Sequence, residues 1–215
     1  HTRCSRDWSS DVCSSDLNEF GASGSYMDAY HRNLDKGLSG SDVPHHVVVT
    51  LLYEVRKFRS NRAVNAALGG WKLGLLETWE SGPVFTVTTA SNTTNAFPAG
   101  TLRPNVSGDP TLASDQRTIA RWFNTSLFSQ PAALTFGNSP RSVLRGAPIV
   151  TTDATFEKSF SITERTKFDL RGEFYNLFNH AIFNVPGAVF GAADFGAVSS
   201  ARPGRTVQLA AKLSF

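Results

Sequence analysis

The last ten residues of the chain, Thr206-Val207-Gln208-Leu209-Ala210-Ala211-Lys212-Leu213-Ser214-Phe215, alternate with a period of two. Val207, Leu209, Ala211, Leu213 and Phe215 fall on one face, and Thr206, Gln208, Ala210, Lys212 and Ser214 on the other. Successive side chains of a β-strand point to opposite faces, so this is a strand with one apolar and one more polar side. Its length matches what a tilted strand needs to cross a bilayer.

Working upstream, Lys167 to Tyr175 repeats the pattern, with Phe168, Leu170, Gly172 and Phe174 against Asp169, Arg171, Glu173 and Tyr175. Asp153 to Thr163 does so again, with Ala154, Phe156, Phe160 and Ile162 against Asp153, Thr155, Glu157, Ser159 and Ser161. Lys158 interrupts the apolar side of that run. A cation facing lipid costs roughly 2–4 kcal/mol at the midplane and little near an interface, so Lys158 must snorkel or the register must shift. Only a few polar residues separate the two runs, which makes them a hairpin. A loop Thr163-Glu164-Arg165 sets Arg171 opposite Glu157 and Gly172 opposite Phe156. The loop Glu164-Arg165-Thr166 would oppose Glu173 to Glu157, two like charges, so the first register is expected.

Two further strands are predicted at His46 to Arg56 and Trp71 to Gly82, the second blurred by Leu75-Leu76 and Glu77, and Pro83 to Thr89 is read as a continuation of the second past a bend. The connections differ sharply in length. The turn near Glu164 is short, whereas 90–152 and 179–205 are long and rich in Gly, Pro, Asn and Ser. Short turns at one end and long loops at the other are the habit of outer-membrane β-barrels, with the short turns periplasmic. A loop as long as 90–152 is unusual in a compact domain, and a short helix from Ser114 to Phe123, capped by Ser114, is expected within it.

Composition narrows the alternatives. With 40% hydrophobic and 11% aromatic residues the chain is no disordered tail. The formal charge of +3 and pI near 9.0 come from Lys and Arg interspersed with Asp and Glu, which argues against a nucleic-acid partner. No apolar run is long enough for a spanning helix.

His1 to Leu17, HTRCSRDWSSDVCSSDL, resembles a translated short-read sequencing adapter and is excluded from fold reasoning. It holds both cysteines, Cys4 and Cys13, so disulfides, thiolate nucleophiles and cysteine metal sites drop out of the rest. It also carries two arginines against three aspartates, so the net charge of the remainder is +4. Without an initiator Met or a signal peptide, the sequence is expected to be a fragment open at its N-terminal side.

Candidate chemistry is sparse. His45 and His46 are strand neighbours pointing to opposite faces, and His31 and His180 lack ligand-spaced partners. Asp153 with Glu157, and Asp169 with Glu173, are about 13 Å apart along their strands at roughly 3.3 Å per residue, too far for paired carboxylates. Glu157, Asp169, Arg171 and Glu173 are expected instead to form a charge network in the barrel lumen. The glycines around Gly69 and between Gly187 and Gly196 lack the context of a phosphate loop. Tyr53, Trp71, Trp79, Phe174 and Phe178 read as an interfacial aromatic girdle. No catalytic residue, cofactor or metal is expected, and the chain is not read as an enzyme.

The chain resembles the Oar-like TonB-dependent receptors of the outer membrane. The matching pieces are Asp42-Val43-Pro44-His45, Gly69-Gly70-Trp71 and Ser81-Gly82-Pro83-Val84-Phe85-Thr86-Val87. Further along come Arg103-Pro104-Asn105, Arg145-Gly146-Ala147-Pro148, Phe174-Tyr175-Asn176-Leu177-Phe178-Asn179-His180 with Phe183, Phe195-Gly196, and the aromatic-terminated last strand. The resemblance implies a plugged barrel of about 22 strands, of which 46–215 would supply the last few and 18–45 an extracellular loop. It also implies uptake of an unknown small nutrient, such as a glycan fragment or metal chelate, driven by the TonB complex through a plug absent here. Leu209, Ala211, Leu213 and Phe215 would be the signal read by the barrel-assembly machinery. The expected fold is all-β, a set of antiparallel strands of a transmembrane barrel in contact with outer-membrane lipid. A soluble β-sandwich that binds carbohydrate is the alternative.

Overall fold

The computed structural model of the chain describes residues 27, 28, 30–57, 62–94 and 102–215. The stretch 1–17 lies outside them, as does part of 18–45.

In chain order the elements are β1 (His46–Glu54), α1 (Arg62–Leu68), β2 (Trp71–Glu80), β3 (Val84–Phe85), β4 (Thr88–Thr89) and β5 (Asn105–Val106). Then follow β6 (Phe128–Ser129), β7 (Leu144–Arg145), β8 (Ile149–Ser161), β9 (Lys167–Tyr175), β10 (Val189–Phe190) and β11 (Thr206–Ser214). They divide between two compact units.

One unit, 45–81 with 148–182 and 202–215, is a five-stranded antiparallel sheet in the order β1-β2-β8-β9-β11. Its register aligns the apolar side of every strand. Leu51 faces Leu75, Leu75 faces Ala154, Ala154 faces Phe174 and Phe174 faces Val207. Directly opposed residues share a face, so one apolar surface runs unbroken from β1 to β11. The β8–β9 hairpin adopts the register expected from charge, with Glu157 opposite Arg171 and Phe156 opposite Gly172, and Ile162 N–H bonds Thr166 O across the turn. Gly172 makes room on that face: a Cβ there would meet Leu209 at 3.3 Å and Phe174 at 3.5 Å. Phe156 packs edge-on against Phe174, with ring centroids 5.4 Å apart.

The pairing also resolves the blurred strand. Leu75 lies on the apolar face and Leu76 on the other, while Glu77 does share the apolar face, where its carboxylate accepts the Thr152 hydroxyl. β1 is apolar on both sides, since Val48 and Leu52 stand exposed opposite Val47 and Leu51. The surface itself is uncovered: Leu209 is 74% and Leu213 54% exposed. A sandwich would have buried them under a second sheet. Among the described residues β1 and β11 each pair on one side alone, so the sheet they form is open at both edges.

The other unit, built from the segments to residue 44, 82–147 and 183–201, has a core of its own. Phe85, Val87, Phe123, Phe128 and Leu144 are buried together, with Trp122, Phe190 and Phe195 packed against them. Phe123 is the hub, its ring centroid 6.0 Å from Phe85, 5.8 Å from Phe128 and 5.2 Å from Phe195. Short ladders β3–β7, β4–β10 and β5–β6 tie this core.

Several expectations are corrected here. β3 and β4 do not prolong β2; they pair with β7 and β10, because Gly82 approaches Gly146 so closely that a Cβ would lie 2.1 Å from its carbonyl oxygen. The span 90–152 is no bare loop, since it holds β5, β6, β7 and the start of β8, and 179–205 holds β10. The stretch 114–123 is not a helix but turns and a Thr118–Arg121 bridge, which leaves Phe123 free to enter the core.

Candidate functional site

The polar face of the sheet carries the predicted lumenal residues. Lys72 on β2 reaches Glu157 on β8, Nζ to Oε1 at 3.5 Å. Ser159 donates to Asp169 Oδ1 at 2.5 Å across the hairpin. Arg171 meets Glu173 at 2.5 Å, and the Tyr175 hydroxyl donates to the same carboxylate at 3.0 Å. The four predicted residues thus share a face, but they do not form one network. Arg171 stands opposite Glu157 and turns along its own strand to Glu173 instead, because same-face residues two apart on one strand are within reach of a long side chain. Sequence reading missed Lys72 as the partner of Glu157. Its even-numbered position beside Trp71 was the available signal, hidden by the irregular alternation of β2.

Lys158, the cation on the apolar side, is withdrawn from that surface. It is 3% exposed, its Nζ donates to Ala67 O at 3.0 Å, and it lies 5.2 Å from the Trp71 ring centroid and 4.9 Å from that of Phe160. The register does not shift to accommodate it. A cavity of about 490 Å³ opens beside this end of the sheet, with Glu54, Lys57, Lys72, Glu157 and Ser159 in its lining. That volume suits a small molecule, yet its charges are mixed in sign, and Lys72 and Glu157 pair with each other.

The closing strand places Leu209, Ala211 and Leu213 on one face, with Phe215 one residue past the ladder and 95% exposed. Tyr53, Trp71, Trp79 and Phe174 lie on the same apolar face, Tyr53 and Trp71 near the hairpin end and Trp79 near the other. Phe178 does not join them; it sits exposed in the turn after β9.

That turn explains the Asn-rich motif. Asn176 and Asn179 both have φ of 54°, a left-handed backbone that asparagine tolerates better than most residues. Asn176 Oδ1 accepts the His180 N–H and its Nδ2 donates to His180 O, both at 2.8 Å, while its own N–H donates to Asp153 at 2.9 Å. Asn179 Oδ1 accepts the Arg205 N–H at 2.9 Å. These residues fold the chain and leave no group aimed at a ligand. His45 stacks on Trp79, and His31 bonds Asp28 at 2.6 Å, lowering that carboxyl's pKa. No cluster of three or more His, Cys, Asp or Glu able to hold a metal occurs among the described residues.

In the connecting unit two arginines act as structural ties. Arg103 is buried and donates to Ser139 O at 2.8 Å, Asp35 Oδ1 at 2.7 Å and Leu34 O at 2.6 Å. Arg145 pairs with Asp42 and donates to Gly82 O at 3.3 Å, while its own carbonyl accepts Trp122 Nε1 at 2.9 Å. The Arg103-Pro104-Asn105 and Arg145-Gly146 motifs are therefore packing devices.

No helix among the described residues is long and apolar enough to cross a membrane. No curated protein and no solved structure matches the chain. A family model described as "Outer membrane beta barrel domain" matches residues 6–208, and that span takes in the whole sheet up to the first residues of β11. Antiparallel strands with an exposed apolar face are what the wall of such a barrel is made of, and the chain belongs to the outer membrane beta barrel domain family, with its place in the outer membrane.

Proposed function

We propose that the chain supplies strands to the barrel of a TonB-dependent, Oar-like outer-membrane transporter that takes up a small nutrient such as a glycan fragment or metal chelate. One observation carries the reading. Among the described residues the apolar face runs across five strands and ends on two edges with unpaired backbone, which fits a ring completed by further strands. A five-stranded sheet is too narrow to close by itself into a membrane barrel, where eight strands are about the smallest number. The long connections fold around their own core, as suits loops that shape a ligand entrance.

In this reading the β8–β9 turn is periplasmic and the connections 81–148 and 176–205 are extracellular. Phe215, Leu213, Ala211 and Leu209 are read by the assembly machinery, the TonB complex acts through a plug domain, and outer-membrane lipid covers the apolar face. No catalytic group, cofactor or nucleic acid takes part.

The test is made on the intact protein in its own membrane. Heat-modifiable migration on a gel and uptake abolished by loss of TonB are the expected results. Recovery in the soluble periplasm, or uptake indifferent to TonB, would sink the transporter reading.

A further inference from the structure

Helix α1 lies in the connection between β1 and β2, and its sequence puts Val64 and Leu68 four residues apart, on one helical face. Neither is buried: Val64 is 39% and Leu68 59% exposed. Seven residues are too few to hold a helix by propensity alone. The helix is instead pinned at its C-terminal end, where Ala67 O accepts both Trp71 Nε1 at 2.9 Å and Lys158 Nζ at 3.0 Å. A helix C-terminus carries partial negative charge, so it is a natural seat for that ammonium.

Trp71, Lys158 and Phe160 all belong to the apolar face of the sheet, which α1 therefore meets at its hairpin end. The connection is also one-signed. Arg56 and Lys57 begin it, both exposed, the sequence adds Arg59 and Arg62, and no Asp or Glu occurs before Trp71.

We infer that α1 is an interfacial helix, lying in the headgroup layer of an anionic phospholipid leaflet with Val64 and Leu68 at the acyl boundary and Arg56 and Lys57 against lipid phosphates. The inference rests on the barrel reading of the sheet. Its C-terminal end meets the apolar surface through Trp71 and Lys158, its cations complement the phosphates, and Trp71 stands where indole rings favour the interface. Lys158 is a positioning residue, holding the helix to the rim.

The intact protein, with any native cysteine replaced by serine, is reconstituted in vesicles of phosphatidylethanolamine and phosphatidylglycerol carrying shallow doxyl spin labels. Single cysteines at Val64, Leu68, Leu209 and Ser199 receive a small fluorophore. The labels at Val64 and Leu68 are expected to be quenched by the doxyl lipid and shielded from iodide, as at Leu209, while that at Ser199 behaves in the opposite way. Quenching is expected to be stronger when the doxyl chain is on phosphatidylglycerol than on phosphatidylcholine, a preference of roughly fivefold per cation. R56Q/K57Q should remove that preference.

If Leu209 is lipid-quenched but Val64 and Leu68 are open to iodide, the interfacial helix is wrong and the barrel stands. Shielding from both quenchers would mean that protein covers α1, which also overturns the inference. Absence of lipid quenching at Leu209 would overturn the barrel reading and the helix with it. A headgroup preference that survives R56Q/K57Q would remove the role of the two cations.

Discussion

In the five-stranded sheet Leu209 and Leu213 stand largely in the open, whereas in the connecting unit Phe123 and Val87 have no exposure at all. The two regions draw on the same kinds of residue and dispose of them differently. Residues of the connections bury aromatic rings against one another, as a water-soluble protein does. The sheet aligns its apolar side chains over five strands and leaves them uncovered, which is stable only where the surrounding medium is itself apolar. Polar groups divide likewise. Arg103 is sequestered and fully bonded, while Lys72 and Glu157 pair in the open on the sheet's polar face.

The largest expected effect strikes the connecting unit. Arg103→Ala leaves Asp35 buried without its cation, a loss of about 3–5 kcal/mol. Hydrogen exchange should accelerate across 102–147 and stay unchanged in β8 and β9. The double replacement R103M/D35L should recover the share due to the unpaired Asp35 charge and no more, because Ser139 O, Leu34 O and the Met27 N–H still lose their partners. Uniform acceleration through the sheet would show that the two regions are not energetically separate.

Leu209→Arg probes the other region. A cation on the lipid side near the middle of a strand costs roughly 2–4 kcal/mol, whereas Ala210→Arg on the polar face should cost little. Urea titrations of the intact protein folded in vesicles separate the two, and equal costs would break the assignment of faces.

Asn176→Ala removes two side-chain hydrogen bonds at a left-handed residue, at an expected cost of about 1–3 kcal/mol. Asn176→Gly, which keeps the backbone freedom, should recover part of it in the same titration. Lys72→Gln should cost under about 1 kcal/mol, since both partners are well exposed and screened.

The smallest effect is one of pH. The Thr111 N–H and hydroxyl hold the Asp109 carboxyl below its ordinary 3.8. The bonded form therefore contributes stability above that value and loses it as pH falls through the lower, folded one. A carboxyl-carbon NMR titration should place the Asp109 midpoint below those of unbonded aspartates, and Thr111→Val, which deletes the hydroxyl, should raise it.

The sheet was the legible part. Strand alternation located β9 to the residue, and avoidance of opposed carboxylates chose the β8–β9 register that the structure adopts. Prediction failed over which partner on a shared face a charged side chain takes. Nothing in the spacing of Lys72 and Glu157 announces a contact across 85 positions, and Arg171 reached Glu173 because both partners were already on its own face. The predicted helix at Ser114 failed for a related reason. Phe123 is claimed by Phe85, Phe128 and Phe195, and burial of its ring outweighs a weak local preference.

By itself, then, the sequence determined which residues form the long strands and which of their sides is apolar, because a period of two is written residue by residue and needs no distant partner. Tertiary structure decided that these sides align into one continuous surface and that the long connections enclose an aromatic core. It also decided that Lys158 escapes that surface by capping the end of α1. Each of those outcomes depends on residues brought together from far along the chain, where local pattern carries no information about which partner will be met.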